Sequence, residues 1–136
     1  MRVHRNSRGI SVKEILVDTS VMVDFLKRTA TDETKNLLGT HQSSISMVTY
    51  YEICRHFLKI SRLNELEFVK QQLYNYKTYE ISREICVEAA KLSHSHNLSV
   101  ADSMILATAK LNDLEVATRD SDLLGLPGVI FLKQKK

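Results

Sequence analysis

The sequence predicts an α/β fold in which a mostly parallel sheet carries helices on both faces. Three observations lead there. Short runs of β-forming residues alternate with amphipathic stretches along the whole chain. Nearly every amphipathic stretch opens near a Ser, Thr or Asn suited to cap a helix. The 136 residues are 43% hydrophobic, with four Gly and one Pro, so no linker divides them and one domain with an ordinary core is expected.

The elements follow in order. Residues 1–13 lack periodicity and read as a flexible basic extension. "EILVD" (14–18) is a short apolar run, expected as a buried strand. "SVMVDFLKR" (20–28) is the first helix, with Ser20 as its expected cap. "TDETKNLLG" (31–39) is a short helix between Thr31 as cap and Gly39 as stop. "SSIS" (43–46) is a strand, and 48–61 a helix with apolar Tyr50, Ile53, Cys54, Phe57, Leu58 and Ile60. A further helix spans 64–76 with Asn64 as cap, and "KTYEI" (77–81) is a strand. Helices over 82–96 and 99–113 are capped by Ser82 and Ser99. "LEVAT" (114–118) and "GVIFL" (128–132) close the sheet.

Cys54 and Cys86 lie within helical patterns and fit small core residues in a reducing compartment better than a disulfide. No apolar run is long enough to span a bilayer and no signal-peptide stretch follows the basic start, so a cytoplasmic protein without a membrane partner is expected. The net charge of +3 is unevenly placed. Arg2, Arg5, Arg8 and Lys13 at the start and Lys133, Lys135 and Lys136 at the end are seven of the 19 cations. The remaining 12 face 16 acids, so residues 14–132 carry −4. Charge alone does not make such a domain a nucleic-acid binder; acids that hold a cation would account for the excess.

In open parallel α/β sheets, ligands bind in the crevice at the carboxyl ends of the strands. Asp18 ends the first predicted strand, and Asp120 and Asp122 follow the fourth. Glu52 lies one turn into its helix and Asp102 in the first turn of its own. Singly, each has an ordinary explanation. Asp18 sits where a helix N-terminus favours an anion. Glu52 shares a polar strip with Arg55, His56 and Lys59. Asp102 completes a near capping box in "SVAD", and Asp120 and Asp122 suit a turn. Together they converge, and like charges in one crevice repel. Clustered carboxylates without His or Cys at ligand spacing favour Mg²⁺ or Mn²⁺ over zinc. "SHSH", with His94 and His96, reads as a polar helix end.

"ILVDTSVMVDFL", "SMVTYYEIC" and "LSVADSMILATAKLNDLEVATRDSDLLGLPGV" resemble the PIN-domain ribonucleases, and most closely the VapC-like toxins of toxin–antitoxin pairs. The resemblance runs from about Ile15 to Leu132. It implies a PIN-type α/β/α sandwich over 14–132, between the 1–13 extension and a basic tail at 133–136. It also implies a Mg²⁺- or Mn²⁺-dependent ribonuclease. Carried over residue by residue, the four family acids fall on Asp18, Glu52, Asp102 and Asp120. Ser20 and Thr118 match supporting hydroxyls, and Asp122 an extra outer acid. On this resemblance Asp18, Asp102 and Asp120 hold the metal. Glu52 orients or deprotonates the attacking water, or binds a second ion. Arg55, Lys59 and Arg62 are candidates to grip RNA phosphates. A homodimer and a small antitoxin partner are implied as well.

Two departures stand out: "EICRHFLK" lacks the Gly that many toxin members carry after the second acid, and the basic extension is unusual. Two alternatives remain. One is a non-toxin PIN nuclease in RNA processing. The other is an inactive PIN-like module that binds RNA or a partner, against which all four acids count. A haloacid-dehalogenase-like phosphatase is disfavoured because Ser20 stands where it needs a second Asp, and a response-regulator receiver because "EVATRD" offers no late Lys.

Overall fold

A computed structural model describes residues 3–5, 11–60 and 63–133. The strands are β1 (Val3–Arg5), β2 (Ser11–Val17), β3 (Gln42–Ser46), β4 (Lys77–Tyr79), β5 (Glu115–Thr118) and β6 (Val129–Phe131). The helices are α1 (Thr19–Leu26), α2 (Asp32–Thr40), α3 (Met47–Lys59), α4 (Leu63–Leu73), α5 (Arg83–His96) and α6 (Val100–Leu111), and a 3₁₀ turn spans Ser121–Leu123. β4, β3, β2, β5 and β6 pair in that order, all in parallel, and β1 adds antiparallel to the start of β2. The predicted α/β/α sandwich with a mostly parallel sheet is therefore present.

The alternation of β2 explains the layers, because successive strand residues point to opposite faces. Ile15 and Val17 pack with Val21, Met22, Ile53, Phe57, Val69 and Leu73 of α1, α3 and α4. Leu16, between them, packs with Ile105, Leu106 and Ala109 of α6 on the other face. Ala117 and Val116 of β5 divide in the same way. The chain moves from β2 outward to β3 and β4, then returns through α5 and α6 to β5 on the far side of β2. The carboxyl ends of β2 and β5 thus flank the point where the strand order reverses, and such points leave an open crevice.

Several boundaries differ from the sequence reading. Ser11–Lys13, assigned to the extension, instead lengthen β2, and Val3–Arg5 pairs with them. Backbone pairing settles this, and hydrophobic periodicity does not report it. Residues 1, 2 and 6–10 of that extension and 134–136 of the tail lie outside the described residues. The cap of α1 is Asp18, whose carboxylate accepts from the Val21 amide at 3.2 Å; Ser20 lies inside the helix and donates to Asp18. Gly39 does not stop α2, which runs on to Thr40, where the hydroxyl donates to the Asn36 and Leu37 carbonyls. α4 starts at Leu63, so Asn64 is in its first turn. Cys86 is exposed on α5 and is no core residue. Thr31, Ser82 and Ser99 cap their helices as predicted. Among the described residues no helix is long and apolar enough to cross a membrane.

Candidate active site

Parallel topology brings the acids together. Asp18 is the first residue past β2, and Asp120 lies two residues past β5. Helices that connect parallel strands run back along the sheet, so the start of α6, which leads into β5, lies at the carboxyl edge. That places Asp102 beside Asp120. α3 leaves the same edge from β3 and carries Glu52 in its second turn. Asp18, Glu52, Asp102 and Asp120 line one cleft of about 430 Å³, together with Thr19, Ser20, Asp24, His56 and Arg119.

Asp18 is 4% exposed and heavily bonded. One carboxylate oxygen accepts from the Ser20 hydroxyl at 2.8 Å and the Val21 amide at 3.2 Å. The other accepts from the Thr118 hydroxyl. Burial pushes the Asp18 carboxyl up from its ordinary range, these three bonds pull it down, and the charge of Asp120 pushes it up again. Thr118 also serves Asp120, because its hydroxyl oxygen accepts from the Asp120 amide at 2.9 Å. One buried hydroxyl thus joins the first acid to the loop that carries the fourth.

Asp102, Asp120 and Asp122 each place a carboxylate oxygen within 4.8 Å of the others. Asp102 is half-buried and is raised to about 7, first by loss of water and then by its hydrogen bond with Asp120 and that residue's charge. Ser99 acts in the opposite direction and Asp18 adds to the rise. Asp120 caps the 3₁₀ turn through the Asp122 amide at 2.9 Å, so the turn's cap is Asp120 and not Asp122. Asp122, expected as an outer acid, joins the cluster because the turn folds it back towards Asp102. Asp18 lies beside the trio, within electrostatic reach of Asp102 and Asp120.

These residues suit a hard divalent cation. The donors are carboxylate oxygens, and the strained ionisation of Asp102 is what an added positive charge relieves. Glu52 is set apart from the trio and held by Thr19, whose hydroxyl donates to it at 2.5 Å. The Thr49 hydroxyl lies 3.3 Å from that of Thr19. Arg55 and Lys59 line an adjoining cleft with Thr19, Glu52 and His56, while Arg62 lies outside the described residues.

Three contributors are not apparent from the sequence. Thr19 sits inside "DTS", beside the more conspicuous Ser20. Arg119 forms an ion pair with Asp24 of α1 across the cleft wall. His56, grouped with a solvated polar strip, is half-buried and lines the cleft. For His56 the i, i+4 spacing from Glu52 was the available signal.

The model of the PIN domain family matches residues 15–128. The chain belongs to the PIN domain family. PIN domains are nucleases, and PIN nucleases generally use a divalent metal. Among solved structures, this PIN domain is similar to a chain of a toxin–antitoxin complex from Klebsiella pneumoniae, at 28% identity and a TM-score of 0.76, over 88% of this chain and 99% of that one. A chain of VapBC2 from Rickettsia felis, in a structure bound to a promoter DNA fragment, is 14% identical with a TM-score of 0.73, over 90% and 99%. A chain of the FitAcB structure from Neisseria gonorrhoeae is 20% identical with a TM-score of 0.71, over 87% and 96%. The last two likenesses concern the fold. Comparison with curated protein sequences gives no match.

Proposed function

We propose that this PIN domain is the ribonuclease toxin of a toxin–antitoxin pair, cutting RNA phosphodiester bonds with Mg²⁺ or Mn²⁺. The observation that carries the reading is the meeting of Asp102, Asp120 and Asp122 beside buried Asp18, at the reversal point of a PIN sheet. Asp18, Asp102 and Asp120 would hold the cation, and Asp122, which meets Asp102 and Asp120, would reach it directly or through water. When bound, such an ion supplies an activated water and offsets the charge of the phosphate.

The protein's own residues do the positioning. Thr118 and Ser20 hold Asp18 in one rotamer, and the N-terminus of α1 favours its ionised form. Thr19 fixes one oxygen of Glu52 and leaves the other to orient, or take a proton from, the attacking water. No covalent nucleophile is required. Arg55 and Lys59, exposed beside Glu52, would meet flanking phosphates. The toxin assignment draws support from the 28% identical neighbour, which belongs to a toxin–antitoxin complex. A small antitoxin is the expected partner, and a homodimer the expected assembly.

The test is cleavage of single-stranded RNA with Mg²⁺, Mn²⁺ or EDTA by the parent, Asp18→Asn and Asp102→Asn. Metal-dependent cleavage by the parent and its loss in both folded variants is the expected result. Cleavage by both at the parent's rate would refute the assignment.

A further inference from the structure

Among the described residues, two buried side-chain nitrogens have no hydrogen-bond partner in the protein: Nε2 of His56 and Nε of Arg119. Both residues line the acidic cleft. Buried polar atoms are nearly always paired, so two unpaired ones on residues that line a single cleft point to a partner that the protein itself does not supply. The Arg119 guanidinium is not loose. One terminal nitrogen is held by Asp24 of α1, and the Arg119 amide approaches the Ser20 hydroxyl at 3.4 Å, which fixes the residue at the rim. His56 lies one turn beyond Glu52 on α3, with its ring edge-on to Phe57 at 5.3 Å between centroids.

The chemistry of these two atoms limits what can satisfy them. Arginine only donates, so the missing partner of its Nε–H must accept. A cation is excluded at that position by the guanidinium charge. His56 Nε2 can donate in the appropriate tautomer, so an acceptor-rich anion suits each of the two residues. The five carboxylates of the cleft reject a free anion, except where a cation or these two donors face it.

We propose that His56 and Arg119 form a phosphate clasp. On this account they donate to the non-bridging oxygens of an RNA phosphodiester and set it against the carboxylates. The identity of the anion rests on the ribonuclease reading above; the existence of the clasp does not. Glu52 and His56 share α3, and Asp120 and Arg119 are adjacent after β5. The elements that carry the acids therefore carry the donors too.

Binding is measured by fluorescence anisotropy of a short single-stranded oligoribonucleotide, with Ca²⁺ replacing Mg²⁺ to suppress cleavage. His56→Ala and Arg119→Gln each weaken binding about tenfold, as expected for one lost hydrogen bond to a charged acceptor. His56→Gln, which keeps a donor, recovers part of the loss. Asp24→Asn breaks the ion pair but leaves Arg119 free to donate, so it retains binding. If Arg119 acted only through Asp24, Asp24→Asn and Arg119→Gln would weaken binding equally, and its part in the clasp would fall. Should Arg119→Gln not fold, His56→Ala and His56→Gln carry the test. Folded His56→Ala protein that binds and cleaves RNA like the parent overturns the clasp and leaves the nuclease reading intact. A parent that neither binds nor cleaves RNA, but whose His56 imidazole NMR signals shift on addition of inorganic phosphate, retains the clasp and overturns the RNA reading.

Discussion

Asp102→Asn should make the metal-free protein more stable at neutral pH while removing its activity. Asp102 is raised from 3.8 to about 7 by burial and by Asp120. A rise of that size corresponds to roughly 4 kcal/mol of penalty on the ionised form. Asp102 is only half-buried, and water screens much of this, leaving about 1–2 kcal/mol as the usable figure. The sign follows from proton binding. The folded state holds its proton more tightly than the unfolded one, so the advantage is complete below pH 3.8 and is lost as pH rises through about 7. An amide removes the charge and can donate to the Asp120 carboxylate. At pH 8 in EDTA, calorimetry should show Asp102→Asn melting about 3–8 °C above the parent. At pH 4 the two should coincide. With excess Mg²⁺ the order should reverse, because only the parent keeps its full set of anionic ligands. A variant that melts at or below the parent at pH 8 in EDTA would show that Asp102 is not under strain from its neighbours.

Other outcomes follow from the same contacts. Thr118→Val strips a donor from buried Asp18 and an acceptor from the Asp120 amide; denaturant unfolding should report a loss of about 1–3 kcal/mol, and cleavage should fall with it. Thr19→Val frees Glu52 from its 2.5 Å hydrogen bond. The expected change is a lower kcat with KM little altered, restored by Thr19→Ser, and a change confined to KM would count against a role for Glu52 in the chemical step. Tyr79→Phe removes the hydroxyl that donates to buried Glu14 at 2.5 Å. This should cost about 1–3 kcal/mol in urea yet leave cleavage unchanged, because neither residue lines the cleft.

The layered architecture was legible because strand and helix periods differ and three of the helices announce their start. Thr31, Ser82 and Ser99 were readable as caps, since a side-chain oxygen two or three residues before an amide is a local device. Asp18 was readable as a site residue but not as the cap of α1, because a carboxylate can take both roles and the sequence does not rank them against Ser20. The gathering of Asp102 and Asp120 followed from strand order. The inclusion of Asp122 did not, since it depends on the sense of a single 3₁₀ turn. Arg119 with Asp24, and Thr19 with Glu52, are contacts between residues far apart in the chain. No period or motif encodes such pairs. Glu14 was counted as the opening residue of a strand, yet its side chain is fully buried, a cost no propensity would predict.

That buried Glu14 has a consequence for how the sheet finds its alignment. Glu14 lies on β2, while Tyr79 and Lys77, which bond to it, lie on β4 with β3 between. β4 is three residues long and occupies an edge, where apolar contacts alone specify register weakly. A slip of one residue would turn Tyr79 and Lys77 to the opposite face and cost the buried Glu14 carboxyl both contacts. Misaligned pairings are therefore penalised far more than apolar mismatch would penalise them. The buried carboxyl that interrupts the core thus also helps keep the edge strand from settling in the wrong place.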